Sequence, residues 1–390
     1  NGLRDGEPVR VVREDPTRQG LLYAGTETGV YVSYDAGSQW LPFRGNFPVV
    51  PVTDLQVKHG DLIASTEGRA FWILDDLSVI RQRADSLEQV KAHLYAPREA
   101  VLFAGSGGFG TPQNAGKNPP NGATVYFRMA AAPDSATAVS VEFLDAKGAV
   151  VRVFASRDSV GRLAVKPGLN TLTWNLRRAM PTRVGNVLLF GAPGDGGARV
   201  SPGTYAVRLT VGSAVLTQPL VVKQDPRLDA PAAVIAERDS VANLLAQRIT
   251  DIHESVLRLR DVKTQVQGYI TRARETTAAD TISKAGRALA GKLDKMDPRL
   301  TTKAANGQDI INYANGINGQ YGFLLGQVEG NTTLTQPVKD RLAELEKVWA
   351  GIRAEVEAIE TVDVPAFNAL LKANNVPGVI SKTKAKGPIA

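Results

Sequence analysis

The chain reads as a multidomain β-plus-α protein, and three observations predict that class. Apolar and β-branched residues alternate with polar ones in short runs over residues 1–82 and again over 123–226. A stretch dense in Gly, Pro and Asn separates those two regions. From residue 232 onward the apolar positions recur every three or four residues, the spacing of a buried helix face.

In residues 1–82 the strand candidates are Val9 to Val12, Leu21 to Ala24, Gly29 to Ser33, Leu55 to Val57, Leu62 to Ser65 and Phe71 to Leu74. Gly, Asp, Pro or Asn punctuates each gap, so they read as an antiparallel meander. Between two of them lies Ser33-Tyr34-Asp35-Ala36-Gly37-Ser38-Gln39-Trp40, matching S-x-D-x-G-x-x-W. The pattern has a physical reading as a staple. Ser33 and Asp35 bond backbone groups of a tight turn, Gly37 permits a positive φ, and Trp40 returns as an apolar anchor. A catalytic or metal-binding role for Asp35 is the minor alternative.

That motif is the Asp-box of β-propeller blades. The segment Asp61 to Asp76, together with Leu21 to Ser33, resembles the closing blades of large bacterial secreted Asp-box propellers of the sortilin-like or glycosyl-hydrolase-like type. A propeller needs about 4 to 8 blades of four strands to close, and residues 1–82 hold one or two. The resemblance therefore implies a partial propeller, whose open edge exposes apolar side chains such as Phe71 and Trp72.

Residues 83–122 form a connector. Ser86 to His93 suits a short helix or strand, and Gly105 to Gly122 suits an irregular loop. The loop lacks the Gly-Lys-Ser/Thr ending of a phosphate cradle. In 123–226 the strand candidates are Thr124 to Met129, Ala138 to Leu144, Val150 to Ala155, Gly161 to Val165, Gly168 to Asn175, Gly203 to Val211 and Ala214 to Val222. That many short strands in about 100 residues predict an immunoglobulin-like β-sandwich. Gly168 to Asn175 and Ser201 to Leu209 also resemble the FlgD-like immunoglobulin module that follows the propeller in the same secreted family. Trp174 reads as a core tryptophan, with a sugar-stacking platform as the sharper alternative.

Asp225-Pro226 marks the next boundary, because proline disfavours helix at the residue before it. A long helix is expected from about Ala232 to Thr276, about 65 Å at ~1.5 Å per residue, carrying Val241, Leu245, Ile249, Ile252, Val256 and Leu259 on one face. Its other face holds cations that include Arg258 and Lys263, solvated by default and open to an acidic partner. Further stripes follow: Ile282 to Met296, ending before Asp297-Pro298; Ile310 to Val328; and Leu342 to Ile359, started by Thr335-Gln336-Pro337. With a short segment from Pro365 to Ala373, they predict an antiparallel helical bundle over 227–376. Residues 377–390 form a basic tail with Lys382, Lys384 and Lys386.

Composition excludes several classes. There is no Cys, so thiol nucleophiles, disulfide scaffolds and Cys-ligated metals are absent, and the three His residues have no ligand spacing. No apolar run is long enough to span a bilayer. G-x-S-x-G, P-loop, H-E-x-x-H and EF-hand patterns are missing. Asp75-Asp76 is the most tempting carboxylate pair, but neighbours on a strand point to opposite faces. Starting at Asn1, the sequence follows either a removed leader or earlier blades of a longer product. The net charge of +7 favours acidic partners, although no aromatic-interleaved basic stripe suggests nucleic acid.

No catalytic residue, cofactor or metal is therefore expected. The expectation is a non-enzymatic extracytoplasmic, periplasmic protein, peripheral to the membrane, that binds other protein subunits. The outline of its three regions also resembles soluble subunits of bacterial photosynthetic reaction-centre and light-harvesting complexes. The alternatives are the non-catalytic C-terminal part of a secreted carbohydrate-active propeller enzyme and a glycan-binding module using Trp174 or Trp72.

Overall fold

The computed structural model describes residues 1–103, 116, 118–134, 136–158, 161–185, 187, 189, 196–275, 277–302 and 315–376. It is a mixed β-plus-α chain of two compact units. The first comprises residues 1–148, 153–175 and 203–224; the second comprises 149–152, 176–202 and 225 onward. This division runs differently from the sequence boundaries near 82, 123 and 226, because 176–202 associates with the helices.

The first unit opens with strands β1 (Val9–Glu14), β2 (Leu22–Thr26), β3 (Val30–Ser33) and β4 (Leu41–Phe43), an antiparallel sheet in chain order. A second antiparallel sheet follows in chain order, with β5 (Val52–Lys58), β6 (Asp61–Thr66) and β7 (Phe71–Leu74). Both bury one core that includes Val11, Tyr23, Val30, Val52, Leu55 and Leu62. Strand β4, absent from the sequence reading, contains Pro42. It lies at the edge of its sheet, where a residue without an N–H is tolerated.

After the single-turn helix α1 (Ser78–Arg81) come β8 (Ala92–Leu94), β9 (Ala100–Leu102), β10 (Ala123–Met129), β11 (Val139–Leu144), β12 (Val150–Ala155), β13 (Gly168–Trp174), β14 (Gly203–Val211) and β15 (Ala214–Gln224). They form a sheet in the order β13-β10-β8 and another in the order β12-β11-β14-β15-β9, with β9 parallel to β15. The two sheets meet through their buried faces. Trp174 stacks on Phe143 at 4.3 Å between centroids, and Tyr205 meets it edge-on at 5.8 Å. The strand expected at Gly161 to Val165 does not form. Leu163 is instead buried in an irregular segment whose N–H reaches Ala155 O at 3.0 Å.

The second unit is built on α2 (Ala232–Arg272), with α3 (Ala279–Leu300), α4 (Ile317–Gly330), α5 (Gln336–Ala358) and α6 (Val364–Ala373) around one apolar core. A π-helical turn, Ile359–Asp363, joins α5 to α6. Ion pairs give the directions. Arg260–Asp297 and Lys263–Asp294 make α3 antiparallel to α2. Lys339–Glu237, Arg248–Glu346 and Arg258–Glu360 rise together in both segments, so α5 runs parallel to α2. The helices thus alternate in direction, α3 against α2 and α5 again along it.

Length explains the arrangement. With 41 residues, α2 is about 60 Å long, whereas α3 with 22 and α4 with 14 are about 33 and 21 Å. Neither shorter helix can cover α2 alone. They cover it in succession, α3 along its C-terminal part and α4 along its N-terminal part, and they meet beside His253. The short return after α4 then sends α5 back in the direction of α2. Helix α3 also continues through Pro298 to Leu300, instead of stopping before Asp297. Leu300 is fully buried, so its apolar burial outweighs the backbone bond lost at Pro298 near the helix end. Ile310, Ala314 and the basic tail lie outside the described residues.

Candidate functional site

The S-x-D-x-G-x-x-W segment does what its chemistry suggests. Ser33 Oγ donates to Asp35 Oδ1 at 2.8 Å and accepts from the Gly37 N–H at 2.9 Å. Asp35 Oδ1 also accepts from the Gln39 N–H at 2.9 Å. Gly37 adopts φ +93. A Cβ placed on it would lie 3.7 Å from the Trp40 ring, so Trp40 does return against the turn. The Gln39 N–H and the Ser33 hydroxyl hold the Asp35 carboxyl below its ordinary range. Its Oδ1 is held by the Ser33 hydroxyl and the Gln39 N–H, which makes it part of the staple.

The more informative region lies at β7. Phe71 and Ile73 remain 75% and 59% exposed, and Leu74 40%. The register pairs Leu74 with Leu62 and Trp72 with Ala64 on the buried side, and Ile73 with Ile63 and Phe71 with Ser65 on the other. Trp72, expected to be exposed, is half-buried. Its ring meets Phe47 edge-on at 5.4 Å, and Nε1–H donates to Arg69 O at 3.0 Å. A groove of about 320 Å³ runs here between Phe43, Phe47, Trp72, Leu74, Ile80, Tyr126 and Leu169. A second cavity of about 380 Å³ shares Ile73 to Asp76 and Tyr126 with it and adds Arg98 and Glu99.

Carboxylates crowd where the two cavities join. Strand β7 stops at Leu74, and Asp76 turns the chain at φ +64, a conformation that Asp tolerates better than most residues. Asp75 and Asp76 therefore line the same two cavities, contrary to the opposite-face expectation for a continued strand. Asp61 Oδ1 accepts from the Asp76 N–H at 2.8 Å and from Arg98 at 2.7 Å. Asp76 Oδ1 accepts from the Ser78 N–H at 3.0 Å, while its buried Oδ2 has no hydrogen-bond partner. Burial, and then the charge of Asp61, push the Asp75 carboxyl up. Sequence alternation missed this cluster because the strand ends one residue earlier than the pair requires.

The cations of α2 are engaged within the helical unit. Arg258 Nε donates to Glu360 at 2.7 Å, Lys263 pairs with Asp294, and Arg260 reaches Asp297 at 2.9 Å. A groove of about 610 Å³ beside them is lined by these same opposite charges. Lys382, Lys384 and Lys386 lie outside the described residues. Among the described residues no three His, Cys, Asp or Glu side chains converge as a metal site, and no helix is long and apolar enough to cross a membrane.

No protein family, no curated protein and no solved structure matches this chain.

Proposed function

We propose that this chain is a non-catalytic, extracytoplasmic protein-binding scaffold, an accessory subunit of a larger membrane-associated complex. One observation carries the reading. The edge strand Phe71-Trp72-Ile73-Leu74 holds no charge and no proline, yet exposes Phe71 and Ile73 beside an apolar groove. Soluble proteins blunt such edges or cover them. A partner subunit is the cover that the reading supplies.

The architecture is compatible with the resemblance from which the proposal began. A four-stranded antiparallel meander bearing the Asp-box suits a propeller blade, and β5–β7 a second, incomplete one. The two facing sheets around Trp174 suit an immunoglobulin-like module. The narrower form of the proposal, a soluble subunit of a photosynthetic reaction-centre and light-harvesting complex, rests on that succession of regions. As a glycan platform Trp174 is disfavoured, because it is fully buried.

The test is gentle solubilisation of native membranes followed by native electrophoresis with detection of this chain. Co-migration with a membrane complex in fixed stoichiometry supports the scaffold. Migration only as a free monomer removes it.

A further inference from the structure

Strand β7 ends its sheet and pairs only with β6 among the described strands. Successive strand residues point to opposite faces, yet Trp72, Ile73 and Leu74 all line the apolar groove. The groove is also lined by Val30, Phe43, Leu62 and Ala64, so it covers the core-facing side of β7, and Ile73 brings it to a strand whose outer edge pairs with no other described strand. There the main chain offers donors and acceptors to an added strand, and the groove offers pockets for alternate side chains.

The charges indicate what such a strand would carry. Arg44 is the groove's only basic lining residue among those described, against Asp75 and Asp76 with Asp61 adjoining. Arg98 is already bonded to Asp61, and Asp76 Oδ2 is buried without a partner. A cation entering at this end would neutralise carboxylates that now repel one another. Burial and the neighbouring charges of Asp61 and Asp76 raise the Asp75 carboxyl, and the charge of Arg98 offsets this only in part.

We propose that the open edge of β7 receives an extended segment of another protein as an added strand, with aliphatic residues at alternate positions and a Lys or Arg reaching Asp75 and Asp76. The inference rests on the protein-binding reading and names the chemistry of the partner. At ~3.3 Å per residue the four residues of β7 present about 13 Å of edge, enough for a segment of about four paired residues.

The test uses the full chain and a set of synthetic eight-residue peptides. Each alternates Val, Ile or Leu with Thr, and carries one Arg moved through every position. Matched sets replace Arg with Glu, or carry N-methyl groups on alternate amides. Titration calorimetry, with Trp fluorescence as a second readout, is expected to find binding for one narrow Arg register and at least tenfold weaker binding for its Glu counterpart. N-methylation on the pairing side should abolish binding, because it removes main-chain donors and leaves the side chains. The double variant Asp75→Asn, Asp76→Asn should weaken the Arg peptide at least tenfold and relieve the repulsion of the Glu peptide, so that the two bind alike. Absence of binding by every Arg peptide, equal binding of Arg and Glu peptides, or binding that is undiminished whichever set of alternate amides is methylated overturns the inference.

A parallel experiment separates this site from the broader reading. Ile73→Lys changes an exposed side chain, so circular dichroism should report an unaltered fold. If that variant still co-migrates with the membrane complex, the strand site fails and the scaffold stands. If wild-type chain runs free while the peptides bind, the scaffold fails and the strand site stands.

Discussion

Acid should loosen the helical unit through His253, and the structure gives the sign and the scale. His253 is 1% exposed on α2. Its Nδ1 lies 2.6 Å from the Thr182 carbonyl, which only accepts, so Nδ1 carries the hydrogen. Nε2 faces the Asn318 amide nitrogen at 3.1 Å. That amide cannot turn over, because Asn318 Oδ1 already accepts from the N–H groups of Thr302 and Gly319 at 3.0 and 2.7 Å. Protonation at Nε2 would set N–H against N–H at the point where α3, α4 and α2 meet. Burial, reinforced by the charge of Arg260 and only partly offset by the Thr182 bond, holds the His253 pKa below 6.5 in the folded chain.

The unfolded chain therefore binds this proton first. Stability is fully present above about pH 6.5 and falls as pH drops toward the lowered folded value, by up to about 1.4 kcal/mol per pH unit. For a unit of this size that is about 3 to 5 °C of melting temperature per pH unit. Melting followed at 222 nm, at pH 7.5, 6.5, 5.5 and 5, should show this slope. His253→Gln should flatten it, while losing about 1 to 3 kcal/mol at pH 7.5 from the unpaired groups left behind. Identical slopes for wild type and variant below pH 6.5 would refute the reasoning. His93, whose pKa burial also lowers, lies in the other unit, and the subtraction of the variant removes its contribution.

Three further outcomes are expected. Trp174→Ala empties the stack between Phe143 and Tyr205 and should cost about 3 to 5 kcal/mol in denaturant unfolding; a stable variant that only loses polysaccharide binding would instead restore the platform role. Ser33→Ala removes the acceptor for the Gly37 N–H at a fully buried site and should cost about 1 to 2 kcal/mol, read as a shifted midpoint with unchanged slope. Arg248→Met should cost about 1 to 2 kcal/mol at pH 7, because Arg248 bonds Glu346 through two nitrogens and holds its carboxyl below the usual range, with Tyr321 adding a bond. That contribution is present above about pH 4.3 and is lost as pH falls through the depressed value, so the gap between wild type and variant should close in acid.

Much of the chain was legible because its local signals agree with its burial. Phe71–Leu74, Val150–Ala155 and Gly203–Val211 are strands over the residues that alternation and turn chemistry mark out. Thr335 with Pro337 starts α5, since an extended residue followed by a first-turn proline costs the helix no bond it could have made. From Leu245 to Leu259 the apolar stripe on α2 is buried as a three-and-four spacing requires. The Asp-box turn was readable down to individual acceptors, because the Ser33 and Asp35 side-chain bonds that staple it span at most four residues.

What the sequence could not decide involves partners far apart along the chain. β8 and β9 have three residues each, too few for a period, and exist because β10 and β15 supply their hydrogen bonds. Apolar spacing shows which side of a helix is buried and is silent about direction; α5 lies parallel to α2 because two shorter helices are needed to cover the longer one. Residues 176–202 join the helical unit through contacts such as Arg177 with Glu329 at 2.8 Å, invisible in a local pattern. The carboxylates at the end of β7 gather for the same reason. Local preference sets where an element begins and which face is apolar, whereas packing alone decides what meets that face, and with it where Asp61, Asp75 and Asp76 come together.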